Sequence, residues 1–132
     1  PAVGTSVTLT PGLTDSDTSG FPMEEITAMV SGGPRLVENG AICTTLEPGF
    51  QEARFTSAVT SRTALGKLAD GKLVIASTGS ASIQQLRELM LQLGCVEAVN
   101  LDGGGSTALA YQGKLIRSPG RELTTTLQIF TH

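Results

Sequence analysis

Asp102-Gly103-Gly104-Gly105-Ser106 follows directly on the strand-like run Val96 to Leu101 and joins a carboxylate, a hydroxyl and three residues without side chains in one stretch. Consecutive glycines cost stability, because each loses more backbone freedom on folding than any other residue. A triple is expected where the chain must bend sharply or approach something closely. On a pleated strand Asn100 and Asp102 point to one face, about 6.6 Å apart at ~3.3 Å per residue. An amide and a carboxylate would then share a surface where the strand opens into a glycine turn. Asp102 is the candidate catalytic carboxylate and Asn100 the residue that could orient it or a substrate. Ser106 and Thr107 could donate to ligand oxygens, and the N–H groups of Gly103, Gly104 and Gly105 could form a nest for an anion. Two other uses of Asp102 stay open. It can close an Asx turn on its own backbone, or hold a divalent cation with Asn100 and loop carbonyls, for which one carboxylate is a thin donor set. No cofactor is expected.

The elements that would position this loop follow from turn and periodicity signals. Asn39-Gly40 between Arg35-Leu36-Val37-Glu38 and Ala41-Ile42-Cys43 predicts a tight hairpin. A second hairpin joins Thr63–Leu68 to Lys72–Ala76 around Asp70-Gly71, and a third joins Ser106–Tyr111 to Lys114–Arg117 across Gln112-Gly113. Ser82, with Gln85 three residues on, should cap a helix whose stripe is Ile83, Leu86, Leu89-Met90 and Leu93, ending at Gly94. A shorter helix over Met23–Val30 and strands at Val7–Thr10 and Leu123–Phe130 complete the expectation, with polar loops at Thr14–Gly20 and Thr44–Ser57. Strand Leu73–Ala76, the helix and strand Val96–Leu101 read as a β-α-β unit with a parallel pair. The fold class is therefore α+β: a mixed, largely antiparallel sheet with one or two helices and one β-α-β unit. The glycine loop leaves the carboxyl end of the unit's second strand, where ligands bind in open α/β sheets. The same glycines lead into a hairpin rather than a helix and lack the Gly-x-Gly-x-x-Gly spacing, which excludes a dinucleotide fold.

The chain has 132 residues, 39% hydrophobic and 16% charged, which fits one domain with a real core. Nine basic against twelve acidic residues give a net charge of −3, with no basic run, and this argues against nucleic-acid partners. No apolar stretch approaches 18 residues, so membrane insertion is not expected. His132 is the only histidine and the last residue, leaving almost no material for a His base or a Ser-His pair. Cys43 and Cys95 lack metal-site spacing and are either two buried thiols or one disulfide.

Three segments in order, Gly32-Gly33-Pro34-Arg35-Leu36-Val37-Glu38-Asn39-Gly40, Arg62-Thr63-Ala64-Leu65-Gly66 and Ala98-Val99-Asn100-Leu101-Asp102-Gly103-Gly104-Gly105-Ser106-Thr107, resemble the motifs of the phosphodiester glycosidase family, which includes bacterial exopolysaccharide biosynthesis proteins. The resemblance runs from Gly32 to Phe130 and includes the segment around Arg121. It implies a single domain over residues 1–132 that forms the C-terminal part of the family's domain, with an upstream segment of that domain as a partner. It also implies hydrolysis of a glycosidic bond to a phosphate group, a sugar-phosphate or glycan substrate, and an extracytoplasmic or secreted location. Arg62 and Arg35 would clamp phosphate oxygens beside Gly33 and the glycine loop, since bidentate guanidinium contacts suit that anion. Glycosidic cleavage generally employs two carboxyl groups. The second is open: Glu97 should face away from Asp102, Asp70 belongs to a turn, and Glu122 stands next to Arg121. Where relatives carry an Asp-Gly-Arg-like segment after the second hairpin, this chain has Ser77-Thr78-Gly79-Ser80.

Overall fold

A computed structural model describes residues 2–8 and 26–130. Backbone contacts divide the chain into two units, Pro1–Val30 and Ser31–His132. In the first, the described residues carry no helix or strand. Ile26–Val30, the described part of the helix expected over Met23–Val30, is therefore not helical. Leu9-Thr10 of the expected first strand and the loop Thr14–Gly20 lie outside the described residues.

The second unit is built on strands β1 (Arg35–Glu38), β2 (Ala41–Ile42), β3 (Thr60–Leu68), β4 (Leu73–Ala81) and β5 (Cys95–Asn100), in the spatial order β2-β1-β5-β3-β4. A one-turn helix α1 (Ala53–Thr56) precedes β3, inside the stretch expected to be a loop. Helix α2 (Ile83–Gln92) links β4 to β5, and β6 (Leu109–Tyr111) with β7 (Lys114–Arg117) forms a separate hairpin. The class is α+β, as expected, and the sheet is antiparallel at every ladder among the described residues.

The parallel pair is not found. β4 and β5 run in the same direction, but β3 lies between them, pairing Leu65 with Ile75 on one side and with Val99 on the other. The short β3–β4 connection joins these two strands as a hairpin, and the other edge of β3 pairs with β5. The expected β-α-β unit is thus split by an inserted strand. Leu123–Phe130, read as a closing strand, is irregular and largely exposed, without a ladder to join.

Local chemistry explains the elements that formed as read. Asn39 and Gly40 take φ of 51° and 74°, both positive as a type I′ turn requires, and Gln112-Gly113 repeats the pattern at 48° and 74°. The Ser82 hydroxyl accepts from the Gln85 N–H while the Gln85 side chain accepts from the Ser82 N–H, a complete capping box. Helix α2 then buries Ile83, Leu86, Arg87 and Met90 against a sheet face floored by Leu36, Val37, Ala64, Ala76 and Ala98. Each large apolar side chain so buried contributes about 1.5–3 kcal/mol relative to exposure. Leu93, expected on the stripe, caps the helix end instead and is exposed. Cys95 is buried in this core and Cys43 partly so; neither is paired, and burial pushes both thiols above their ordinary pKa. On the opposite face Leu73 and Ile75 stay exposed.

Candidate active site

Strand β5 ends at Asn100, and the last rung that follows, from the Leu101 N–H to the Thr63 carbonyl at 2.8 Å, ties the start of the glycine loop to β3. Beyond it the chain tightens into a single 3₁₀ turn over Gly104–Ser106, closed by the Ser106 and Thr107 N–H groups on the carbonyls of Gly103 and Gly104. Gly103 is required by proximity: a Cβ there would lie 2.7 Å from the Ser61 carbonyl oxygen, a backbone atom of β3 that cannot yield. Gly104 has φ of +59°, the left-handed region that glycine enters without strain.

Asp102 stands exposed on this loop. Its Oδ1 accepts from the Gly103 N–H at 2.9 Å and its Oδ2 from Arg121 Nη2 at 3.1 Å. Arg121 also donates to Ser106 Oγ through Nε, at 2.8 Å, and through Nη2. The Gly120 N–H, bonded to the Gly105 carbonyl at 2.8 Å, fixes this later segment on the loop. The Ser106 hydroxyl holds the Asp102 carboxyl below its ordinary pKa; partial burial opposes this, and the Gly103 N–H and the Arg121 guanidinium reinforce it. The result is a carboxylate that stays ionised, oriented by a guanidinium and a backbone donor. No protein acceptor takes up the Gly104 and Gly105 N–H groups among the described residues.

Asn100 does not share that environment. It is 4% exposed, on the helix-covered face of the sheet, opposite Ala64, whereas Asp102 lies past the strand end, where alternation no longer sets direction. Its Nδ2 donates to the Gly33 carbonyl at 2.8 Å, and its main chain exchanges hydrogen bonds with the Gly33 N–H and the Pro34 carbonyl. Gly33 is pressed between this clasp and Phe50, whose ring would lie 2.1 Å from an added Cβ. Asn100 Oδ1 and Thr107 Oγ1 are buried with no partner among the described residues.

The two arginines expected to clamp phosphate are occupied elsewhere. Arg62 is buried, donating Nε to the Ala81 carbonyl at 3.2 Å and Nη2 to the carbonyls of Arg54 and Ala58 at 2.7 and 2.9 Å. It ties α1 and the end of β4 to β3, and burial lowers its guanidinium pKa. Arg35 is an exposed strand residue bonded to Glu38 and Glu47. Neither makes a hydrogen bond to the glycine loop, because adjacency in the motif does not dictate which way a strand side chain turns. Two of the three candidates for a second carboxylate are engaged elsewhere: Glu97 accepts from the Asn39 N–H, and Asp70 is paired with Lys72, while Glu122 is exposed and makes no hydrogen bond or ion pair among the described residues. No three His, Cys, Asp or Glu residues come together among the described residues. Arg121 is the functional candidate that motif reading left without a role. Its signal in sequence was only a cation after Pro119-Gly120, fifteen residues from Ser106.

The family model for phosphodiester glycosidases matches residues 3–130, beginning upstream of the motifs from which the resemblance was read. The chain belongs to the phosphodiester glycosidase family. Human N-acetylglucosamine-1-phosphodiester alpha-N-acetylglucosaminidase is 28% identical over 106 residues, 69% of this chain and 21% of the human protein. The bovine enzyme of the same name is 29% identical over the same length and is covered to 20%. Among solved structures, a hypothetical protein from Synechocystis superposes with a TM-score of 0.56 at 34% identity, covering 67% of this chain and 18% of that one. The zebrafish N-acetylglucosamine-1-phosphodiester alpha-N-acetylglucosaminidase catalytic domain, auto-inhibited by its pro-peptide, gives a TM-score of 0.54 at 27% identity, covering 68% of this chain and 34% of that one. The chain thus spans about a fifth of the curated relatives it matches.

Proposed function

We propose that this protein hydrolyses the glycosidic bond of a sugar phosphodiester, acting outside the cytoplasm on a cell-envelope or exopolysaccharide-type glycan. The observation that carries this reading is the Asp102 carboxylate, exposed at the end of β5 and held ionised by Ser106, Gly103 and Arg121 within the family's motif. The chemistry asks little else. Asp102 takes a proton from water, the water oxygen bonds to the anomeric carbon, and the bond from that carbon to the phosphate oxygen breaks. The phosphate departs as a stable anion, so no strong general acid is needed and one carboxylate plus electrostatic stabilisation can serve. The unengaged N–H groups of Gly104 and Gly105 suit an anionic oxygen.

A second reading, a carbohydrate- or envelope-binding module of the same fold without turnover, is favoured by the engagement of Glu97 and Asp70 away from Asp102. Sugar release from a synthetic N-acetylglucosamine phosphodiester by the full-length protein separates the two. Release that falls at least a thousandfold in Asp102→Asn, with folding intact, supports the hydrolase. No release by the wild type, with retained binding of the phosphodiester, supports the module. Completion of the domain by an upstream segment belongs to the same proposal, and full-length protein supplies that segment to the assay.

A further inference from the structure

Six arginines occur in the chain. Arg35, Arg54 and Arg121 are paired with carboxylates, and Arg62 and Arg87 donate to backbone carbonyls. Arg117, the last residue of β7, is half-buried and makes no hydrogen bond or ion pair among the described residues. Its guanidinium lies over Gly79 of β4: a Cβ at residue 79 would stand 3.3 Å from Nη2 and 3.8 Å from Nη1. Glycine at this position sets no side chain of its own against the planar head group. A guanidinium keeps its charge throughout the pH range of proteins. A half-buried one without a counter-ion is stabilised by an anion that reaches it.

Gly79 beneath Arg117 is linked to Asp102 through β3. The Gly79 carbonyl accepts from Ser61 Oγ at 2.9 Å, the Ser61 carbonyl packs against Gly103, and the Gly103 N–H donates to Asp102. Ser77, two residues before Gly79 on β4, stands opposite Thr63 in the ladder, and both hydroxyls are buried without a partner among the described residues. Arg121 follows Arg117 by four residues and is already neutralised by Asp102.

We infer that Arg117, over Gly79, is an anion-binding residue that holds the phosphate group of the substrate beside the Asp102 loop. The inference rests on the phosphodiester reading of that loop and adds a division of labour: Arg121 orients the carboxylate, Arg117 takes the phosphate. Calorimetric titration of the full-length protein at fixed ionic strength, with inorganic phosphate and with α-N-acetylglucosamine 1-phosphate, tests it. Arg117→Met weakens both about ten- to hundredfold, the range expected for loss of charge-assisted hydrogen bonds. Gly79→Asp weakens them comparably without touching Arg117, because the new carboxylate occupies the guanidinium. Arg117→Lys restores part of the affinity. Unchanged affinity in Arg117→Met and Gly79→Asp, with native far-UV circular dichroism, overturns the inference, as does failure of the wild type to bind either anion. Failure of the hydrolase reading looks different: phosphate binding that depends on Arg117 with no sugar release leaves the anion site standing. Sugar release whose KM is unmoved in Arg117→Met leaves the hydrolase standing and removes the site.

Discussion

Arg62 and Arg121 end in the same guanidinium and do opposite work. Arg62 points from β3 into the packed side of the sheet, where its nitrogens meet three backbone carbonyls. Arg121 reaches from an irregular segment to a carboxylate and a hydroxyl that remain open to solvent. In the first region a charge is spent on holding α1, β3 and β4 together; in the second it orients Asp102 and reinforces the Ser106 hydroxyl in keeping it ionised. A guanidinium inside a motif is therefore no guide to function until its acceptors are known. Neutral carbonyls mark a tie between elements, and ionised groups in reach of solvent mark a site.

The sharpest way to break this comparison is to remove both head groups in parallel. Arg62→Met removes the three hydrogen bonds of a buried guanidinium and lowers the unfolding free energy by about 3 kcal/mol in urea denaturation. Arg121→Met shifts it by less than about 0.5 kcal/mol, since exposed pairs contribute little, while reducing kcat/KM by one to two orders of magnitude. A larger loss of stability at Arg121 than at Arg62 would reverse the assignment. Next comes the seam between the two regions: Gly103→Ala drives a methyl group against the Ser61 carbonyl oxygen and costs about 1–3 kcal/mol by thermal or urea unfolding. The smallest effect is on proton affinity. Asp102 has a lowered folded-state pKa, so the stability it contributes is present above the ordinary carboxylate value and is lost as pH falls through the lowered one. The acid limb of kcat/KM accordingly lies below the ordinary aspartate range, and carboxyl-detected NMR titration of Arg121→Met shows the Asp102 midpoint moving upward.

How much was legible beforehand depended on how local the determinant was. The Asn39-Gly40 turn, the Ser82–Gln85 capping box and the stripe Ile83, Leu86, Met90 are set within a few residues, and they stand where the sequence pattern put them. The insertion of β3 between β4 and β5 was not legible, because a β-α-β pattern records direction and connection but not which strand fills the gap. At the site, the glycine loop and Asp102 were evident from composition. The shared face of Asn100 and Asp102 failed because the strand stops at Asn100, and the strand Leu123–Phe130 failed because propensity supplies no ladder partner.

The triple glycine after Asp102 by itself determined a close approach of loop to scaffold, since glycine is tolerated in succession only where side chains or ordinary φ cannot serve. Which scaffold atom it approaches, the Ser61 carbonyl, and which cations reach the loop, were decided by tertiary structure alone. Arg121 is separated from Asp102 by nineteen residues, and the Gly120–Gly105 hydrogen bond brings its segment onto the loop. Short-range backbone preferences are written residue by residue, whereas the pairing of charges across a turn depends on the path of every element between them.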